Sequence, residues 1–153
     1  MRIYGKILAA GLVAFAALPA LTVQTVHADE SLESVEYWKG QMAYMKDKID
    51  SANQKCGTTF AFEWSNKEDL RKKAADHNNS PNGICSNVFD SLWSVCDKGD
   101  EAKNRVKTKI KSVSCGYGKP RSMTLSGTKL VAGANNEESN WGDWATPTLM
   151  KML

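Results

Sequence analysis

The sequence predicts an α+β protein: a disulfide-braced core of four main helices, a small antiparallel sheet built on a hairpin, and a short C-terminal helix. Three observations carry this prediction. Apolar residues recur at helical spacing from Ser31 onward. The segment after Cys115 alternates as strands do around a glycine turn. Four cysteines, Cys56, Cys85, Cys96 and Cys115, are spread over a chain of 153 residues.

The first 28 residues have the layout of a secretory signal peptide. Arg2 and Lys6 form a charged head, Ile7 to Leu21 is an apolar run, and Val26-His27-Ala28 ends on a small residue before Asp29. The run is too short to span a membrane, and no cysteine follows it to carry a lipid. Cleavage would leave Asp29 to Leu153, or 153 − 28 = 125 residues. That length suits one exported domain, which would bury roughly two thirds of its unfolded surface.

Ser31 to Cys56 reads as the first helix, because Val35, Trp38, Met42, Met45, Ile49, Ala52 and Cys56 step by 3 and 4. Glu30, Glu33 and Glu36 sit near its positive end, and Gly40 is its weak point. The stripe is better suited to packing within its own domain than to a dimer seam, so a monomer is expected. Phe60, Phe62 and Trp64 alternate on one face of a short strand. Ser65-Asn-Lys-Glu68 is a capping box for a helix through Ala75. His77 to Pro81 is a polar loop, and Ser80 with Pro81 opens the next helix.

That helix, about Pro81 to Asp97, is the predicted centre of the core. Ile84, Val95, Val88, Leu92, Cys85, Cys96, Phe89 and Trp93 fill half its circumference. After the turn at Lys98-Gly-Asp, with Asp100 as cap, Ala102, Val106, Ile110 and Val113 share a narrow arc and predict a helix to about Val113. Arg121 to Leu125 and Thr128 to Ala132 flank a turn at Ser126-Gly127 and form a hairpin, to which Tyr117 could add a third strand. Gly133 to Asn140 is a loop, and Thr146 with Pro147 starts a last short helix bearing Leu149 and Leu153.

An even cysteine count in an exported chain reads as two disulfides. Cys85 and Cys96 lie on one predicted helix, roughly 16 Å apart at 1.5 Å per residue, whereas a disulfide needs Cα atoms about 4.4–6.8 Å apart. Two pairings remain. Cys56–Cys96 with Cys85–Cys115 is preferred, because an antiparallel fourth helix would return Cys115 to the start of the central one.

Without Arg2 and Lys6 the net charge falls from +3 to +1, which argues against a dedicated nucleic-acid binder. The total conceals a split. Lys103, Arg105, Lys107, Lys109, Lys111, Lys119, Arg121 and Lys129 lie in a stretch with no Asp or Glu, leaving −7 on the rest of the exported chain (1 − 8). On a helix, Lys103, Lys107 and Lys111 form one row and Arg105 and Lys109 another. This is a candidate anion-binding face for an acidic glycan, lipid headgroup or protein; the blander alternative is a solvated face that answers the acidic remainder. Asn135, Trp141 and Trp144 form a candidate ligand loop within an otherwise polar stretch, unless the two indoles close the base of the sheet. Trp64 and Trp93 sit in apolar patterns and are expected in the core.

No motif names a reaction. Asp76-His77 is the one histidine–carboxylate neighbour pair and reads as solvated loop. The chain has no C-x-x-C and only His77 after cleavage, so neither a metal nor an organic cofactor is expected. The reading that results is an exported, non-enzymatic binding protein of the periplasm or extracellular space, with a protein or anionic envelope component as partner. An envelope-polymer hydrolase using paired carboxylates is the alternative.

Overall fold

The residues described by the computed structural model are 31–153. They form α1 (Leu32–Cys56), β1 (Ala61–Trp64), α2 (Lys67–Asp76), α3 (Pro81–Cys96), α4 (Asp100–Lys109), β2 (Ser112–Tyr117), β3 (Ser122–Ser126), β4 (Lys129–Ala134) and α5 (Trp141–Met152). The expected signal segment, with Arg2 and Lys6, lies outside the described residues. The fold is α+β, braced by two disulfides.

α1 starts where Ser31 caps it, accepting the Ser34 N–H at 3.2 Å, and stops at Gly57, whose positive φ of 65° suits glycine. Its apolar stripe turns inward: Trp38, Met45, Ile49, Ala52 and Cys56 are buried. α3 packs against all four other helices and against β2 and β4, as its wide apolar arc requires. Ile84, Cys85, Val88, Phe89, Leu92 and Val95 are sealed from solvent. Trp93 is not. It lies at the margin of the arc, 38 % exposed, with the Lys55 ammonium 4.8 Å from its ring, so its expected place in the core is corrected.

Four strands form one sheet in the order β1-β2-β4-β3. Only β3 and β4 are antiparallel, and β1–β2 and β2–β4 are parallel. The predicted hairpin is therefore present, but the sheet is mixed. Three helices lie between β1 and β2, and a helical crossover returns the chain in the same direction. The hairpin then folds so that β4, not β3, lies beside β2. Gly118 and Gly133 allow this close passage, since a Cβ on Gly118 would stand 2.6 Å from the Cα of Gly133. The register aligns Phe62, Val113 and Leu130, then Trp64, Cys115 and Ala132, on one face. Phe62 meets Phe89 of α3 there at 5.5 Å between centroids. The opposite face carries Glu63, Ser112, Ser114, Thr124 and Lys129.

Four local expectations are corrected. α4 ends at Lys109 instead of Val113. Val113 is buried in β2, where strands on both sides take up backbone groups that a longer helix would have paired within itself. Gly99, not Asp100, is the α4 cap. Asn66, not Ser65, caps α2, because the Ser65 N–H extends the β1–β2 ladder to the Cys115 carbonyl at 2.8 Å. α5 begins at Trp141 rather than Thr146, with Pro147 inside it. Proline there forgoes one helical hydrogen bond; packing of Trp141 and Trp144 against the core offsets that loss.

The disulfides are Cys56–Cys96 and Cys85–Cys115, with Cα separations of 5.2 and 6.0 Å. One ties the ends of α1 and α3, and the other ties the start of α3 to β2. This is the preferred pairing, and the chain returns to α3 through a strand where a helix was expected.

Candidate functional site

α4 buries Ala102 and Val106 and turns its charged residues outward. Lys103 and Lys107 lie one turn apart on it. Lys111 follows the helix end, and its Nζ donates to the Lys107 carbonyl oxygen at 2.5 Å. The third lysine of the predicted row thus rejoins the first two through a side-chain bond. Lys109 ends the helix, exposed. Gly57, Thr58, Thr59 and Ile110 join Lys107 and Lys111 around a concavity of about 190 Å³.

The charges of the basic stretch divide in two. Lys119 pairs with Glu137, Lys129 with Glu63 at 2.8 Å, and Arg105 with Glu101 at 2.5 Å. Arg121 donates to the Ser139 carbonyl at 2.7 Å and lies 4.9 Å from the Trp144 ring centroid. Among the described residues, no carboxylate lies within ion-pair distance of Lys103, Lys107, Lys109 or Lys111. Other acids are taken by other lysines: Asp90 by Lys48 at 2.9 Å, and Asp97 by Lys55. Within this stretch, the lysines without a close carboxylate are therefore the four at α4 and its C-terminal end.

The three residues expected on one loop do not share one. Asn135 is 1 % exposed and its amide is occupied within the chain. Its oxygen accepts the Glu137 and Glu138 N–H groups at 3.0 Å, and its nitrogen donates to the Gly118 carbonyl and to Glu138. Trp141 and Trp144 lie on α5, half-buried, with rings in edge contact at 5.2 Å. Trp141 Nε1 donates to Ser91 Oγ at 2.8 Å, and that hydroxyl donates to the Asn87 carbonyl. These contacts anchor α5 and the turn.

Sequence reasoning missed a second cluster. Glu137 Oε1 meets His77 Nε2 at 2.9 Å and accepts the Tyr117 hydroxyl, while Oε2 accepts the Lys119 ammonium. His77 is thereby paired across the fold instead of resting with Asp76 in solvent. The Lys119 and Tyr117 hydrogen bonds hold the Glu137 carboxyl down at about 2, and the same carboxylate pushes Tyr117 up to about 12. Glu138 is lowered by the Asn135 amide and the Arg121 N–H. Both carboxylates are ionised and surrounded by donors, so neither is suited to be the proton-donating acid a glycosidase pair needs. No sequence signal connects Glu137 to its donors, which come from the end of α2, the end of β2 and the turn after it.

Among the described residues, no three His, Cys, Asp or Glu side chains converge closely enough to hold a metal ion. No described helix is long and apolar enough to cross a membrane. The chain matches no known protein family, no curated protein and no solved structure.

Proposed function

We propose that this protein is an exported, monomeric, non-enzymatic binding protein that engages a polyanionic component of the cell envelope through Lys103, Lys107, Lys109 and Lys111. Residues 1–28 serve as its export signal, and its two disulfides suit the oxidising compartment outside the cytoplasm. The observation that carries the reading is the division of charge. Lys119, Lys129 and Arg105 have carboxylate partners, whereas the four lysines at α4 have none among the described residues. Ammonium groups with no carboxylate beside them attract phosphate, sulfate or carboxylate groups presented in series.

Retention on immobilised heparin and on vesicles containing anionic phospholipid tests this at low salt. Lys107→Glu with Lys111→Glu is expected to abolish retention, at about 1 kcal/mol per lysine removed from an anionic surface. Both side chains are exposed, so the fold is expected to survive, which circular dichroism checks. Unchanged retention in the double variant overturns the reading. N-terminal sequencing of the secreted protein is expected to begin at Asp29.

A further inference from the structure

A second surface adjoins the α4 lysines, on the far edge and core face of β1. Among the described residues, β1 is the edge strand of the sheet and pairs only with β2. The Ala61 N–H donates to Lys111 at 3.1 Å and the Ser65 N–H to Cys115 at 2.8 Å. By the alternation of a strand, Phe62 and Trp64 turn their N–H and C=O groups the other way, where no further strand lies among the described residues. Beside this edge, between β1 and α1, runs an open groove of about 430 Å³. Its apolar lining comes from Met42, Ala43, Ile49, Phe60 and Phe62, and Lys39 and Lys46 stand over it.

Edge strands are ordinarily blunted by inward charge, proline, a bulge or a covering element. β1 is short, at four residues, and the Phe60 N–H just before it is taken by Asn53 Oδ1 at 2.8 Å, but its groove side carries no proline and no inward charge. Its one charge, Glu63, points to the opposite face and pairs with Lys129. The groove occupies the space where inward side chains of a fifth strand would fall. Among the described residues, Lys39 and Lys46 are joined to Glu36 and Asp50 on their own helix. Such exposed pairs within one helix are weak and can exchange for a competing carboxylate.

We infer that β1 accepts an extended peptide segment of a partner protein as a fifth strand, with alternate apolar side chains in the α1–β1 groove and flanking acidic residues at Lys39 and Lys46. Main-chain bonds to Phe62 and Trp64 give affinity, and the groove and lysines give selectivity. An acyl chain would also suit an apolar groove, but it would leave the strand edge unused.

The test is selection of a displayed library of random ten-residue peptides on the purified, disulfide-intact protein. Selected peptides are expected to alternate apolar residues and to carry Asp or Glu at their flanks. Ala43→Glu, an exposed helical position, is expected to weaken the best peptide at least tenfold with unchanged melting temperature. Lys39→Gln with Lys46→Gln is expected to weaken it several-fold. Amide exchange supplies the decisive signature: the peptide should slow Phe62 and Trp64 N–H exchange. Four results overturn the inference. They are no enriched alternating sequence, binding indifferent to Ala43→Glu, protection of Phe62 already complete or concentration-dependent without peptide, and dodecyl phosphate occupying the groove in preference to every peptide.

Discussion

The Tyr117 hydroxyl donates to Glu137, whose carboxylate pushes the phenol up to about 12, while the Lys119 ammonium together with this bond holds the Glu137 carboxyl down at about 2. The pair joins the end of β2 to the turn that leads into α5. Lys119 and His77 complete the junction from two further segments.

A pH dependence follows from the signs of these shifts. The Glu137 carboxyl is lowered from its usual 4.5, so its contribution is present above that pH and is lost as pH falls toward 2. Tyr117 is raised from 10.0, so its contribution is present below pH 10 and is lost as pH rises toward 12. Melting temperature should decline at both extremes. Glu137→Gln should lower it at neutral pH and flatten both declines, and ultraviolet titration should show one tyrosine returning toward 10.

Trp141 and Trp93 should respond in opposite ways to substitution by phenylalanine. Trp141→Phe removes the bond to Ser91 and should cost about 1 kcal/mol in urea unfolding. Trp93→Phe, at an exposed margin of α3, should stay within about 0.5 kcal/mol of the parent. Equal losses would contradict the difference in burial.

Gly40 offers a stabilising change. It lies within α1 at a helical backbone position, and a Cβ there would meet nothing within 4 Å. Gly40→Ala should raise stability by about 0.5–1 kcal/mol, chiefly by restricting the unfolded chain. Denaturant midpoints measure it directly.

The disulfides should contribute separately. Each closes a loop of comparable length, with sequence separations of 40 and 30 residues. Replacing either pair by serine should cost about 2–4 kcal/mol. A non-reduced digest should yield Cys56–Cys96 and Cys85–Cys115 peptides; a Cys85–Cys96 peptide would contradict the course of α3.

Local pattern determined much of this protein. The stripe from Val35 to Cys56 and the arc of α3 admit one buried face each, and periodicity alone exposes it. Two cysteines eleven residues apart on α3 cannot bridge, so rigid helix geometry left two pairings, and the observed one was preferred. The hairpin was legible from its glycine turn. Tertiary structure decided what depends on neighbours far along the chain. Val113 has equal claims on a helical arc and a strand, and the presence of strands on both sides settles it as β2. Pro147 reads locally as a helix start, yet docking of Trp141 and Trp144 outweighs the one hydrogen bond it forfeits. Parallel pairing of β2 with β4 has no local signal, because it depends on where the hairpin lands. The same holds for charge. Sequence placed eight basic residues in one stretch, but only the folded distances separate those with carboxylates beside them from the four lysines at α4. A Coulombic partner is set by proximity in space, which residue order does not encode.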